Sequence, residues 1–329
     1  MRDEEPLEII KEGESQSVEF KGDFSPEVGK TICAFANTNG GTLFLGVSDD
    51  GRIKGVAERT EEQVASIAHS CKPSVYPEIK KTIHNEKLVL IAEVPHSKGV
   101  LHSFKNVAYR RVGTSDMPLS PEEVIAFARQ ARIIRFDNQF CEAGLSDIDE
   151  EMVRRFIRST IAHRRLDIDP NLPAAEILEK LGLKQGNHLT YAAALLFGRE
   201  PQRFVLQSEV RCARFKGKEP LSFLDMKVLR GNVIEQIDSA EKFVMNHIRL
   251  EAEVRGFVRE ERWEYPLSAM REAITNAICH RDYFSTANVH VSIFDDRIEV
   301  RNPGGLPPEL TIDDLKRPHN SIPQNPLIA

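Results

Sequence analysis

The sequence predicts an α+β chain: a mixed-sheet N-terminal domain, a mostly helical connector and a partial α/β-sandwich module toward the C-terminal end. Three stretches carry that expectation. Residues 16–21, QSVEFK, alternate apolar Val18 and Phe20 with polar neighbours, the pattern of a half-buried strand. Residues 189–198, LTYAAALLFG, are apolar all round and read as a core helix. Residues 271–283, REAITNAICHRDY, set Glu272, Asn276 and His280 four apart on one helical stripe, with Ala273, Ile274, Ala277 and Ile278 on the opposite face.

The chain has 329 residues, 41% hydrophobic and 29% charged, which gives room for two or three folded domains and excludes disordered and collagen-like classes. No run approaches the roughly 18 apolar residues that a bilayer-spanning helix needs. The acidic start, MRDEEPLEIIKEGES, lacks the basic-then-apolar order of a secretory signal, so a cytoplasmic protein without a membrane partner is expected. Cys33, Cys71, Cys141, Cys212 and Cys279 form no Cys-x-x-Cys pair and read as reduced thiols packed like small apolar residues. A formal net charge of -6 means that any nucleic acid must be held by a local basic patch rather than by bulk charge.

After a lead-in over residues 1–14, the first domain is expected over 15–135. Its first helix should be capped by Ser25, carry Pro26 in the first turn, bury Val28, Ile32, Phe35 and Ala36, and stop at Asn37-Thr38-Asn39-Gly40-Gly41. TLFLGV follows as a buried strand, Asp50-Gly51 turns the chain into IKGV, further strands lie at LVLIAEV and NVAYRRVG, and a helix runs from Ser120 through Arg132. The connector is expected over 145–250, with helices at SDIDEEMVRRFI and PAAEILEKLGL. Two helices joined by GLKQGN also allow a helix-turn-helix, but YAAALLFG offers almost no polar side chain to a base edge, and a core helix is the other reading. SEVRCARFKGKE reads as a strand, and Phe223 to Ile248 as a long amphipathic helix with Val233, Ile237, Ala240, Phe243 and Val244 on one stripe. The third segment, 265–329, holds the REAITNAICHRDY helix, strands at VHVSIF and IEVRN around Asp295-Asp296, and the loop NPGGLPPE.

ESQSVEFKGDF followed by CAFANTNGGTLFLGVSDDG, with YRRVGTSDMPLSPEE closing the unit, resembles the Schlafen AlbA-type domain, also described as a divergent AAA domain. The resemblance implies nucleic-acid binding, DNA or RNA, as in bacterial and archaeal members, or metal-dependent RNA cleavage as in some animal members. For the nuclease the implied acids are Glu14, Glu19 and Asp49, with Asp50 the next choice, holding Mg²⁺ or Mn²⁺, and Lys21 placed to neutralise phosphate charge. Five positions separate Glu14 from Glu19, so an unbroken strand would point them to opposite faces; a bend near Ser15 is required for them to share an ion. An exposed Glu19–Lys21 ion pair is the plainer account of the same residues. Candidate phosphate contacts are Lys72, Lys80, Lys81, Arg110 and Arg111, of which the last two must face opposite sides of their strand, and Arg129, Arg132 and Arg135, three apart as on a basic helical ridge.

REAITNAICHRDY followed by DRIEVRNPGGLP resembles the ATP-binding module of the gyrase, chaperone, kinase and MutL superfamily, as found in RecG-like proteins often called transcriptional regulators; AAALLFGREPQRFVLQSEVRCARFKG looks like their connecting region. The resemblance implies ATP and Mg²⁺ as ligands and a homo-oligomer as a possible assembly. Glu272 would orient or deprotonate the attacking water, Asn276 would ligate magnesium, and His280, Asp282, Asn302, Gly304 and Gly305 would face the nucleotide. An amide oxygen suits Mg²⁺, and a carboxylate one helical turn away can reach a metal-adjacent water. Asn302 stands where the superfamily has Asp, and its carbonyl can still accept from the adenine amino group. The superfamily's second glycine-rich stretch is not found before Ala329, so the module is expected to be partial. His280-Arg281-Asp282 can equally be a helix C-terminal cap.

Overall fold

The computed structural model describes residues 5–164, 167–255, 258–306, 310–317 and 322–329. The start of the lead-in at residues 1–4 and the end of the NPGGLPPE loop at 307–309 lie outside them. The chain divides into two compact units, one running to Ile134 and the other beginning at Arg135.

The first unit contains α1 (Glu5–Glu12), β1 (Val18–Lys21), α2 (Val28–Asn37), β2 (Gly41–Leu45), α3 (Thr60–His69), β3 (Glu78–His84), β4 (Lys87–Val94), β5 (Tyr109–Val112), β6 (Ser115–Pro118) and α4 (Pro121–Gln130). Its main sheet is four-stranded in the order β1-β2-β4-β3. Strands β1 and β2 are parallel and joined through α2, whereas β4 runs antiparallel to both β2 and β3. Both faces of the central strands are covered. On one face Val28, Ile32 and Phe35 of α2 pack with Leu43, Leu45, Leu90 and Ala92, and on the other Phe44, Val89 and Ile91 pack with Phe20 and Ile10. That double burial is why TLFLGV and LVLIAEV are near-continuous apolar runs.

Helix α2 buries the expected stripe but starts at Val28, and no side chain caps it. Ser25 and Pro26 instead form turns, with their carbonyls accepting from Val28 and Gly29 N–H, so the predicted Ser25 cap is corrected to a turn ahead of the helix. The helix ends where Gly40 takes φ +76°, and a side chain there would meet the Val94 carbonyl at 2.8 Å. Ser120 does cap α4, through a reciprocal box with Glu123.

The second unit contains β7 (Phe140–Cys141), α5 (Glu150–Arg164), α6 (Ala174–Lys180), β8 (Lys184–Gln185), β9 (His188–Thr190), α7 (Tyr191–Phe197), β10 (Val210–Phe215), β11 (Phe223–Leu229), α8 (Val233–Met245), β12 (Leu250–Arg255), β13 (Val258–Trp263), α9 (Leu267–Cys279), β14 (Val289–Ile293) and β15 (Ile298–Arg301). A four-stranded sheet in the order β11-β10-β14-β15 packs its core face against α8 and α9. The long helix expected from Phe223 to Ile248 is two elements. Gly231, at φ +96°, breaks the chain, and Asn232 caps α8 while accepting from Glu235 N–H, which leaves Phe223–Leu229 free to pair with β10. The predicted stripe of Val233, Ile237, Ala240, Phe243 and Val244 is buried as expected. No helix-turn-helix forms, because the β8–β9 hairpin separates α6 from α7 and residues 192–197 are wholly buried.

Among the described residues no helix is long and apolar enough to cross a membrane. The cysteines are free thiols, and only Cys141 is not fully buried.

Candidate nucleic-acid and nucleotide sites

The bend demanded by the odd spacing of Glu14 and Glu19 exists: Ser15 and Val18 bond to each other across a tight turn. Glu14 then reaches back, its Oε1 accepting from Phe20 N–H at 2.9 Å. Glu19 lies buried, bonded to Lys21 and Arg111. Arg111 is wholly enclosed; it also donates to Asp116 Oδ1 at 2.9 Å and sits 5.1 Å from the centroid of Phe35. Thr31 completes the network by donating to the other Asp116 oxygen at 2.6 Å. Asp49 is exposed on the turn after β2, and among the described residues no group of three or more His, Cys, Asp or Glu stands ready to hold a metal ion. The structure therefore brings Glu14, Glu19 and Lys21 to one strand without gathering the three acids; Glu19 neutralises a buried guanidinium.

The predicted phosphate contacts divide similarly. Arg110 and Arg111 do face opposite ways, but Arg111 points into the core, so phosphate contact is corrected to a structural ion pair. Lys80 pairs with Glu78 and Glu93, Lys81 with Glu61, and Arg110 with Glu123, all at the surface, where such pairs open at little cost. Lys72 is exposed. The helical ridge does not form, because α4 ends at Gln130 and Arg132 takes φ +58°, so Arg132 and Arg135 follow the helix rather than ride on it.

Folding creates a basic site that spacing did not reveal. A cleft of about 1030 Å³ opens beyond the carboxyl end of β1, bordered by Gly22, Lys54, Gly55, Arg59 and Lys87, with Asp23, Glu58 and Glu86 on its rim. Open α/β sheets bind ligands at the carboxyl ends of parallel strands. Lys87 donates to the Ile53 carbonyl at 3.0 Å, whereas neither Lys54 nor Arg59 enters an ion pair among the described residues. These cations were invisible in sequence because Lys54 and Arg59 come from a loop and Lys87 from a strand; only the crossover brings them together.

In the second unit, α9 turns Ile274, Ala277 and Ile278 inward and leaves Glu272 and Asn276 exposed one turn apart. Arg271, beside them, clamps α9 to α8 through Asp238 and Glu241. The rest of the motif terminates the helix. His280 N–H returns to the Asn276 carbonyl at 2.9 Å. Arg281 is buried and donates to the carbonyls of Gln207 at 2.6 Å and Ala287 at 2.7 Å. Burial raises the phenol pKa of Tyr283, whose hydroxyl donates to the Ile278 carbonyl at 3.2 Å. Asp282 accepts from Phe284 N–H and donates its own N–H to Pro303. A side chain at Gly304 would meet the His280 carbonyl at 3.0 Å, so the glycine is required by the protein's own helix end; open space lies beside Gly305. Asn302 is half-buried next to it. Exposed Glu272 and Asn276, with no ion pair to either among the described residues, suit a magnesium–phosphate ligand; His280 and Asp282 tie the helix end to the glycine loop.

Comparison with known proteins follows the same division. Residues 14–120 match the family model described as "Schlafen, AlbA_2". Residues 286–329 match the model described as "Putative ATP-dependent DNA helicase recG C-terminal", a span that includes Asn302, Gly304 and Gly305 and begins after Glu272 and Asn276. A Corynebacterium diphtheriae protein of known crystal structure is 23% identical over 95% of this chain, with a TM-score of 0.48, and the chain spans 65% of that protein's length. The N-terminal domain of a RecG-related protein from Nitrosomonas europaea, solved by NMR, is 27% identical over 36% of this chain and 95% of its own length, with a TM-score of 0.28. The chain thus carries a Schlafen AlbA_2 domain toward its N-terminal end and a RecG-type C-terminal segment at the other, which places it among nucleic-acid-related proteins.

Proposed function

We propose that this chain is a nucleic-acid-binding regulator, acting on transcription, whose Schlafen AlbA_2 domain grips a phosphate backbone and whose C-terminal module takes ATP with magnesium and biases that grip. The observation that carries the reading is the cleft beyond β1, which lies inside the matched domain and offers Lys54 and Arg59 without competing carboxylate partners. Three acids on the same rim balance its cations, so affinity must come from placed contacts rather than bulk charge. In the second unit the exposed Asn276 amide can ligate magnesium and Glu272 can hold a metal-adjacent water. Magnesium, when bound, neutralises phosphate charge. Nucleotide binding shifts nucleic-acid affinity only to the extent that it favours one arrangement of the protein over another.

Filter binding of labelled DNA and RNA over a salt series tests this. Log affinity should fall linearly with log salt, at about 0.9 per phosphate contact on duplex DNA. Replacing Lys54 and Arg59 together with Glu should flatten that slope by about two contacts by the same rule. ATP with magnesium should shift the affinity, and Asn276→Ala should abolish the shift. Failure to retain either nucleic acid at low salt would sink the proposal, and an unchanged slope in the double variant would remove the cleft from it.

A further inference from the structure

Strand β11 is the edge of its sheet: it pairs with β10 on one side, and among the described residues no strand pairs with the other. The edge is apolar for its position. Leu224 is 61% exposed and Met226 62%, with Val228 beside them on the same face. An exposed apolar edge invites another strand, and proteins that remain single guard such edges with charge, proline or a bulge facing outward.

The charges here select a partner. Asp225 and Lys227 lie on the opposite face from Met226, beside their β10 neighbours Arg214 and Cys212. If a second β11 runs antiparallel about a two-fold axis at Met226, Asp225 of each copy stands opposite Lys227 of the other, and Leu224 stands opposite Val228. Sliding the strands by two residues either way, which keeps the faces matched, sets Asp225 against itself or Lys227 against itself. Opposite charges across a strand pair stabilise and like charges destabilise, so a single register satisfies both the apolar face and the charged one. We infer that β11 is a dimerisation edge, joining the β11-β10-β14-β15 sheets of two copies of this chain into one continuous sheet. Such an interface is isologous and closes on itself, so it stops at two copies. Asp225 also lies 3.1 Å from His247 Nε2, which holds its carboxylate on the charged face rather than the apolar one.

Light scattering coupled to gel filtration over a concentration series tests the pairing in the whole chain. The wild type should be a dimer. Asp225→Lys and Lys227→Asp should each be monomeric at the same concentrations, with unchanged circular dichroism. An equimolar mixture of the two variants should recover the dimer, because the mixed pair restores both opposite-charge contacts. Met226→Cys should give a disulfide-linked dimer under mild oxidation. A wild type that stays monomeric overturns the inference and leaves the edge to a strand of another protein. Single variants that dimerise as well as the wild type overturn it too, by moving the interface elsewhere.

Discussion

Arg111 illustrates how a residue's environment decides between two roles that its side chain could fill. A cation in a charged strand invites a phosphate, but this one is enclosed between Glu19 and Asp116 and stacked on Phe35. Removing it by Arg111→Ala strands two carboxylates in a dry site, and the loss of a buried partner costs about 3–5 kcal/mol. Urea unfolding of the variant should show that loss, while a drop under 1 kcal/mol would mean the acids find water or another cation. Asp137 is the converse case. It is buried with one carboxylate oxygen unpartnered and the other accepting from Leu327 N–H at 2.7 Å. Burial pushes its pKa above the ordinary value of 3.8, against the opposing pull of that N–H and of Arg135. The folded protein therefore holds the proton more tightly than the unfolded chain does. The stability this contributes is present below the ordinary carboxylate pKa and is lost as pH rises through the raised one. Asp137→Asn, which keeps an acceptor for Leu327 and carries no charge, should gain on the wild type as pH rises across that window. A difference in urea midpoint that stays constant with pH would refute the role.

Elements were set by short-range chemistry wherever it was strong. Ser120 with Glu123 starts α4, and Asn232 with Glu235 starts α8, each by a reciprocal cap written within four residues of sequence. Asn232→Ala should lower stability by about 1 kcal/mol, measured by thermal or urea unfolding. If β11 and α8 were one helix, Asn232 would be an interior residue and alanine would stabilise instead. The stretch before that cap was misread as helix because Phe223, Met226 and Leu229 also fit a helical period. What decides for strand is Gly231 at positive φ, and the free edge of β10 that only the fold supplies. At α9 the helical stripe was legible in full, including its buried face. The destination of its C-terminal end was not, since Arg281 finds its partners at Gln207 and Ala287, one of them far along the chain.

Across the whole molecule, two units carry separate cores, and the net charge of -6 leaves any anionic ligand dependent on where the cations are placed. The sequence by itself determined the α+β class, the buried strands, the core helix α7 and the two family resemblances, because periodicity and motif order are local properties. It also determined that Arg110 and Arg111 must part company, since successive strand residues alternate faces. Tertiary structure alone decided which charged groups remain available. Burial consumed Glu19, Arg111 and Arg281 in ion pairs and carbonyl bonds, and the crossover from β1 through α2 to β2 opened the cleft that Lys54, Arg59 and Lys87 share. The physical reason is that a charge's worth depends on its solvent exposure and on partners distant in sequence, neither of which a local pattern encodes.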